Sequence, residues 1–184
     1  MRTILLSIFI LFSKAALASG SDFQIPPYYH QLAQKYGVPS SVVFSLALTE
    51  TNTKMNDGSA LPWPFVINRK GKATYFLTYE EMIAHANSLL AMGIENFDVG
   101  LFQVNWYWVG RHEVDSVETL GEPTSNGDVA LKTILKYKTP TNSWSDAAGK
   151  YHNPNNNNGL GDVYAAKFEV HLRRIQNLIF GGDA

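Results

Sequence analysis

The chain has 184 residues, a formal net charge of −1 and no cysteine. That balance supplies no basic face for nucleic acid, and the missing cysteine excludes a disulfide framework, so packing alone must hold the fold. Four Trp, nine Tyr and ten Phe, with only 17% charged residues, suit a core or walls that face a sugar.

The chain opens on a targeting segment. Arg2 gives a positive start, residues 3–12 form an apolar run too short to span a bilayer comfortably, and Ala16-Leu17-Ala18 is a small-residue cleavage pattern. A mature start near Ser19 is expected, with an uncleaved membrane anchor as the alternative. Cleavage after residue 18 removes Arg2 and Lys14, two of 15 basic residues, and shifts the formal charge to −3. Residues 19–184 fit one domain with a real core.

Residues 23–27 read as an extended lead-in, and 28–36 as a short helix stopped by Gly37. The tight link to Pro39 implies that this helix packs on the next, over 42–52. Asn56-Asp57-Gly58-Ser59 is a turn cluster, and Pro62-Trp63-Pro64 excludes helix. Residues 65–77 read as a β-hairpin turning through Gly71, the only convincing strand signal in the chain. A lone hairpin is marginal, so it must lie on the helical body. Thr78 opens another helix with a capping box to Glu81, and Gly93 ends it. Residues 94–100 read as loop, 101–109 as a short helix or turn, and 112–123 as loop-rich. Helices follow around 129–137, at 143–151 with Asp146 as a cap, and at 162–179, after an Asn-rich loop at 153–159. The fold class is mainly α: a single helical domain with a small β-hairpin between its second and third helices.

Two stretches carry chemistry. Val43, Leu46, Ala47 and Glu50 recur at i, i+3, i+4 and i+7, so a buried stripe ends in a carboxyl. Desolvation and the negative end of the helix dipole both raise its pKa, which makes Glu50 a candidate general acid. The alternative is a helix-end Glu turned to water or paired with a Lys. Next, Gly100-Leu101-Phe102-Gln103-Val104-Asn105 sets two amides among apolar side chains, where burial requires hydrogen-bond partners. Sugar hydroxyls would serve; so would the loop's own backbone.

Glu50-Thr51 after an apolar helix, the Gly100–Asn105 stretch, Ala148-Gly149-Lys150-Tyr151-His152-Asn153, and Tyr164-Ala165-Ala166-Lys167-Phe168 stand in an order that resembles lytic transglycosylases. These are lysozyme-like enzymes that cut bacterial peptidoglycan. The resemblance covers residues 38–175. Trp63-Pro64-Phe65-Val66-Ile67-Asn68 and Asp98-Val99 make it most similar to the small members encoded with conjugation and secretion systems. The chain departs from the family pattern where Thr51 replaces Ser, Phe102 replaces Met, and Tyr151-His152-Asn153 replaces Tyr-Asn-x, leaving His152 and Asn153 as alternatives for the family's amide.

The resemblance implies an α+β lysozyme-like fold. It also implies non-hydrolytic cleavage of the β-1,4 bond between N-acetylmuramic acid and N-acetylglucosamine, with Glu50 as sole acid and base. Thr51, Phe102, Gln103, Asn105, Tyr151, His152 and Tyr164 would form the substrate site. Tyr151 would hold the carboxyl or the N-acetyl group, and Tyr164 would buttress it. No cofactor or metal is called for; His112-Glu113-x-Asp115 lacks the paired histidines of a helical zinc site. Expected partners are peptidoglycan strands and conjugation or secretion proteins, in the periplasm. The rivals are a hydrolytic muramidase, in which Asp98 would activate water rather than order its turn, and a non-catalytic wall-binding module. Arg69, Lys70 and Lys72 at the hairpin tip read as solvated, or as contacts to acidic wall polymer. His30, His85 and His171 read as structural or surface residues.

Overall fold

A computed structural model describes residues 23–54 and 60–181. The expected signal segment, the turn at 56–59 and Gly182 lie outside the described residues. Prolines open the first helix, α1 (Pro27–Tyr36), where a missing N–H costs nothing and the fixed φ suits the helix. Gly37, left-handed at φ 65°, closes it and turns the chain into α2 (Ser40–Thr51), which packs on α1. Pro39 sits just before α2 as its cap rather than inside it.

The stripe expected on α2 is too narrow. Every residue from Ser41 to Thr49 is buried, so the helix has no solvent face and runs through the centre of the core. Two of its threonines are satisfied on backbone carbonyls: the Thr49 hydroxyl donates to that of Ser45, and the Thr51 hydroxyl to those of Ala47 and Leu101.

The strand content exceeds the hairpin. β1 (Asn52–Lys54) and β2 (Ala60–Pro62) pair antiparallel beyond the end of α2. The hairpin itself is β3 (Val66–Arg69) and β4 (Lys72–Tyr75). It is extended by β5 (Asp98–Val99) and β6 (Val104–Asn105) into a four-stranded antiparallel sheet in the order β4-β3-β5-β6. The sheet supplies the support that an isolated hairpin lacks. Between β4 and β5 runs α3 (Tyr79–Ala91). Its cap is a variant of the expected box: the Thr78 hydroxyl accepts from the Glu81 N–H, but the Glu81 carboxylate reaches back to the N–H of Leu77.

After β6 the chain winds through a π-helical turn, Trp106–Gly110, into α4 (Arg111–Glu113) and α5 (Val117–Gly121). The region read as loop-rich is therefore partly helical, held at Ser116 by a cap to the Thr119 N–H. Then come α6 (Pro123–Tyr137), α7 (Trp144–His152) with a capping box between Ser143 and Asp146, and α8 (Leu160–Phe180). Tyr164, Phe168, Leu172 and Ile175 of α8 are buried as the pattern required, whereas Ile179 is exposed. α7 packs on α8 and α6, and α8 on α2. The α7–α8 approach is close: a Cβ at Gly149 would stand 2.7 Å from the Gly161 carbonyl oxygen. Among the described residues, no helix is long and apolar enough to cross a membrane. The result is a mainly helical body carrying small sheets.

Candidate functional site

A cavity of about 630 Å³ opens between the helical body and the four-stranded sheet. Its helical wall holds Glu50 from α2, Tyr137 from α6, Tyr151 and His152 from α7, and the Asn-rich loop from Asn153 to Asn157. Its sheet wall holds Asn68, Asp98, Gln103 and Asn105, with Trp108 at the rim, 69% exposed.

Glu50 stands in the last turn of α2, and its Oε1 accepts a 2.6 Å hydrogen bond from the Tyr164 hydroxyl. Burial pushes its pKa up to about 8. The Tyr164 hydrogen bond works against that rise, the Asp98 charge adds to it, and the Lys167 charge opposes it. At neutral pH the carboxyl is mostly protonated. With Oε1 engaged by Tyr164, Oε2 is the oxygen left to carry a transferable proton. Lys167 donates to the Thr49 carbonyl at 2.8 Å, which fixes its charge at the carboxyl end of α2.

The other members divide. His152 lines the cavity and stacks flat on Tyr164, ring centres 4.5 Å apart and planes 8° from parallel. Burial, with help from the Lys167 charge, lowers its pKa and keeps the imidazole neutral. Asn153 lines the cavity beside it. Gln103 and Asn105 both face the cavity, but their amides are spent on the protein. The Gln103 amide donates to the carbonyls of Gly100 and Val66 at 2.8 and 3.2 Å. Asn105 donates to Asp98 at 2.8 Å and to Asn96 at 2.9 Å, and accepts from the Trp108 N–H. The second reading, that the amides tie down the loop's own backbone, fits the Gln103 bond to Gly100 and the Trp108 N–H bond to Asn105, whereas Asn105 donates to side chains and Gln103 also reaches Val66 of β3. Burial raises the pKa of Asp98, against the Asn105 hydrogen bond.

Three expectations are corrected. Thr51 does not line the cavity; it is buried, and its hydroxyl pins the end of α2 to the Gly100 loop. Phe102 is not a cleft wall; its ring is fully buried in the core, and only its backbone serves the site. Tyr151 lines the cavity but does not hold the carboxyl: its hydroxyl donates to the Phe102 carbonyl at 2.7 Å, fastening α7 to the Gly100 loop. Tyr164, expected behind Tyr151, is the residue that grips Glu50.

The sequence reading passed over Asn126. It is fully buried in α6, accepts from the Phe102 N–H at 2.8 Å, and donates to the carbonyls of Val99 and Leu120. It also explains Gly100, whose φ is 79° and where a Cβ would stand 2.9 Å from the Asn126 amide nitrogen. The signal was present: Asn126, Val129, Ala130 and Thr133 repeat the spacing that exposed Glu50. Lys167, Asn68, Trp108 and Tyr137 were also passed over as site residues, and no local pattern marks them. Glu113, read beside His112 as a weak metal candidate, pairs with Lys136 at 2.9 Å and lies near Lys132.

Comparison with protein-family models, curated proteins and solved structures found no match for this chain.

Proposed function

We propose that this protein is a peptidoglycan lytic transglycosylase of lysozyme-like fold, with Glu50 as its single acid and base. The observation that carries the reading is a carboxyl held protonated at neutral pH on the wall of a cavity that also presents amides and tyrosines, one oxygen fixed by Tyr164. Such a group meets the requirement of a general acid whose pKa lies near working pH.

In this scheme Oε2 of Glu50 gives its proton to the glycosidic oxygen as the bond to the muramic acid C1 breaks. The substrate's own N-acetyl group stabilises the cationic centre. Glu50, now ionised, takes the proton from the C6 hydroxyl. That oxygen closes on C1 and leaves a 1,6-anhydro end. Tyr164 donates to the carboxylate between the two steps, when it bears its charge. No cofactor takes part. Local wall opening for a conjugation or secretion apparatus, in the periplasm, follows from the motif resemblance and forms part of the proposal.

One observation favours a hydrolytic muramidase instead. Asp98 lines the same cavity, so a second carboxyl is available to activate water. Its hydrogen bond from Asn105 suits the ordering role better. Mass spectrometry of digested sacculi separates the two: anhydro products are one water lighter, and purely hydrolysed ends would overturn the transglycosylase reading. Glu50→Gln should abolish cleavage while glycan binding persists. A variant that kept its biological activity would point to a wall-binding module.

A further inference from the structure

A second cavity, of about 420 Å³, lies at the tip of the hairpin, lined by Arg69, Lys70, Gly71, Glu95 and Asn96. It shares Asn68, Asp98 and Asn105 with the first. The register explains why. Asn68 lies opposite Asp98, and Asp98 opposite Asn105, so the three form one row across β3, β5 and β6 on a single face of the sheet. Because both cavities are lined by this row, a strand that followed it would run as along a trough, from Glu50 to the hairpin tip.

At the hairpin tip Arg69 and Lys70 share the cavity lining with the carboxyls of Glu95 and Asp98. Among the described residues, no carboxylate stands within ion-pair reach of Arg69 or Lys70, whereas Glu95 is engaged by Arg111 at 2.8 Å. Lys72, the third cation of the hairpin, does not line the cavity. The tip is fixed by its backbone: Lys70 and Gly71, at φ 53° and 77°, form a two-residue turn whose twist matches the strands. β3 is paired on both sides, to β4 and β5, so the backbone that carries Arg69 is fixed relative to the polar row.

We propose that the hairpin-tip cavity is a binding site for a carboxylate-bearing branch of the polymer whose backbone occupies the trough. For the glycan strand on which this inference rests, that branch is an uncross-linked acidic stem peptide. The neutral sugar chain lies along the polar row, and the free carboxylates of the peptide reach Arg69 and Lys70.

The test is equilibrium binding by calorimetry to the Glu50→Gln chain, which does not turn over. The probes are chitohexaose, a neutral glycan, and peptidoglycan strands bearing uncross-linked stem peptides. The tip is altered as Arg69→Gln with Lys70→Asn; asparagine tolerates the left-handed backbone, and a thermal melt checks that the fold is kept. Affinity for peptide-bearing strands should fall roughly three- to tenfold, as for two exposed ion pairs, and the difference should fade at about 0.5 M salt. Affinity for chitohexaose should stay unchanged. An equal loss for both probes, or no loss for either, overturns the inference and leaves the glycan reading standing. Failure of the chain with its tip intact to bind chitohexaose sinks both.

Discussion

The two walls of the cavity handle polar groups in opposite ways. On the helical wall, the Glu50 carboxyl is set into apolar surroundings: it ends a helix buried along its length and meets Tyr164 inside the packing of α8 on α2. On the sheet wall, polar side chains touch one another and the backbone: Asn105 with Asp98 and Asn96, Gln103 with Gly100 and Val66. Isolation shifts a pKa; mutual hydrogen bonding fixes a shape. On the proposed reading, the helical wall stores the proton and the sheet wall receives the polymer.

The largest test of that contrast is Glu50→Gln. Loss of the acid should lower cleavage at least a thousandfold. It should also stabilise the fold at alkaline pH. A carboxyl whose folded pKa of about 8 exceeds its unfolded value contributes stability that is full below the unfolded pKa and is lost as pH rises through 8. Above that, the native chain must keep a buried charge. Glutamine removes this term, so the variant should gain a few kcal/mol over the native chain near pH 8 and nothing near pH 4. Urea melts at the two pH values measure it, and equal gains at both would mean that Glu50 is not desolvated.

Asn126→Ala tests the backbone that the sheet wall depends on. It leaves the Phe102 N–H and the Val99 and Leu120 carbonyls without their partner in the core. A loss of roughly 2–3 kcal/mol of stability is expected, with a falling kcat as the Gly100 loop loosens. A variant as stable as the native chain would show that this loop is held by something else.

Tyr164→Phe acts on the helical wall alone. It removes the contact that most favours the ionised form of Glu50, so the pKa should rise further. Under the proposed mechanism, the alkaline limb of kcat/KM is set by loss of the Glu50 proton and should then move above pH 8, while kcat drops roughly tenfold because the carboxylate formed in the first step would lose its donor. A limb that moved to lower pH would reverse the sign assigned to this hydrogen bond.

The same contrast explains what the sequence could reveal. A polar residue at the end of an apolar helical run is visible in one dimension, because helical spacing tells which side chains share a face. Glu50 was legible on that ground, and Asn126 was equally so. The sheet wall was not. β5 and β6 have two residues each, too few for an alternating pattern, and the pairing of β5 with β3 joins residues far apart in the chain. Thr51 and Phe102 stand beside site residues in sequence, yet both side chains point into the core. Neighbourhood along the chain says nothing about direction when one residue terminates a helix and the other sits in a tight turn. Tyr151 and Tyr164 were legible as tyrosines of the site, but which one met the carboxyl depended on tertiary packing: α8 brings Tyr164 to Glu50, and α7 turns Tyr151 to the Phe102 carbonyl.

The smallest effect comes from the interior of α2. The Ser45 hydroxyl is fully buried and, among the described residues, lacks a hydrogen-bond partner. Thr49, one turn on, takes the Ser45 carbonyl instead. If the helix that carries Glu50 is dry throughout, this hydroxyl is a pure desolvation cost, and alanine is also the better helix former. Ser45→Ala should then stabilise the protein by about 0.5–1 kcal/mol and leave the pH dependence of cleavage unchanged. A loss of stability instead would mean that the hydroxyl has a partner such as a buried water. The surroundings of α2 would then be wetter than the high pKa of Glu50 requires, and the distinction between the two walls would narrow.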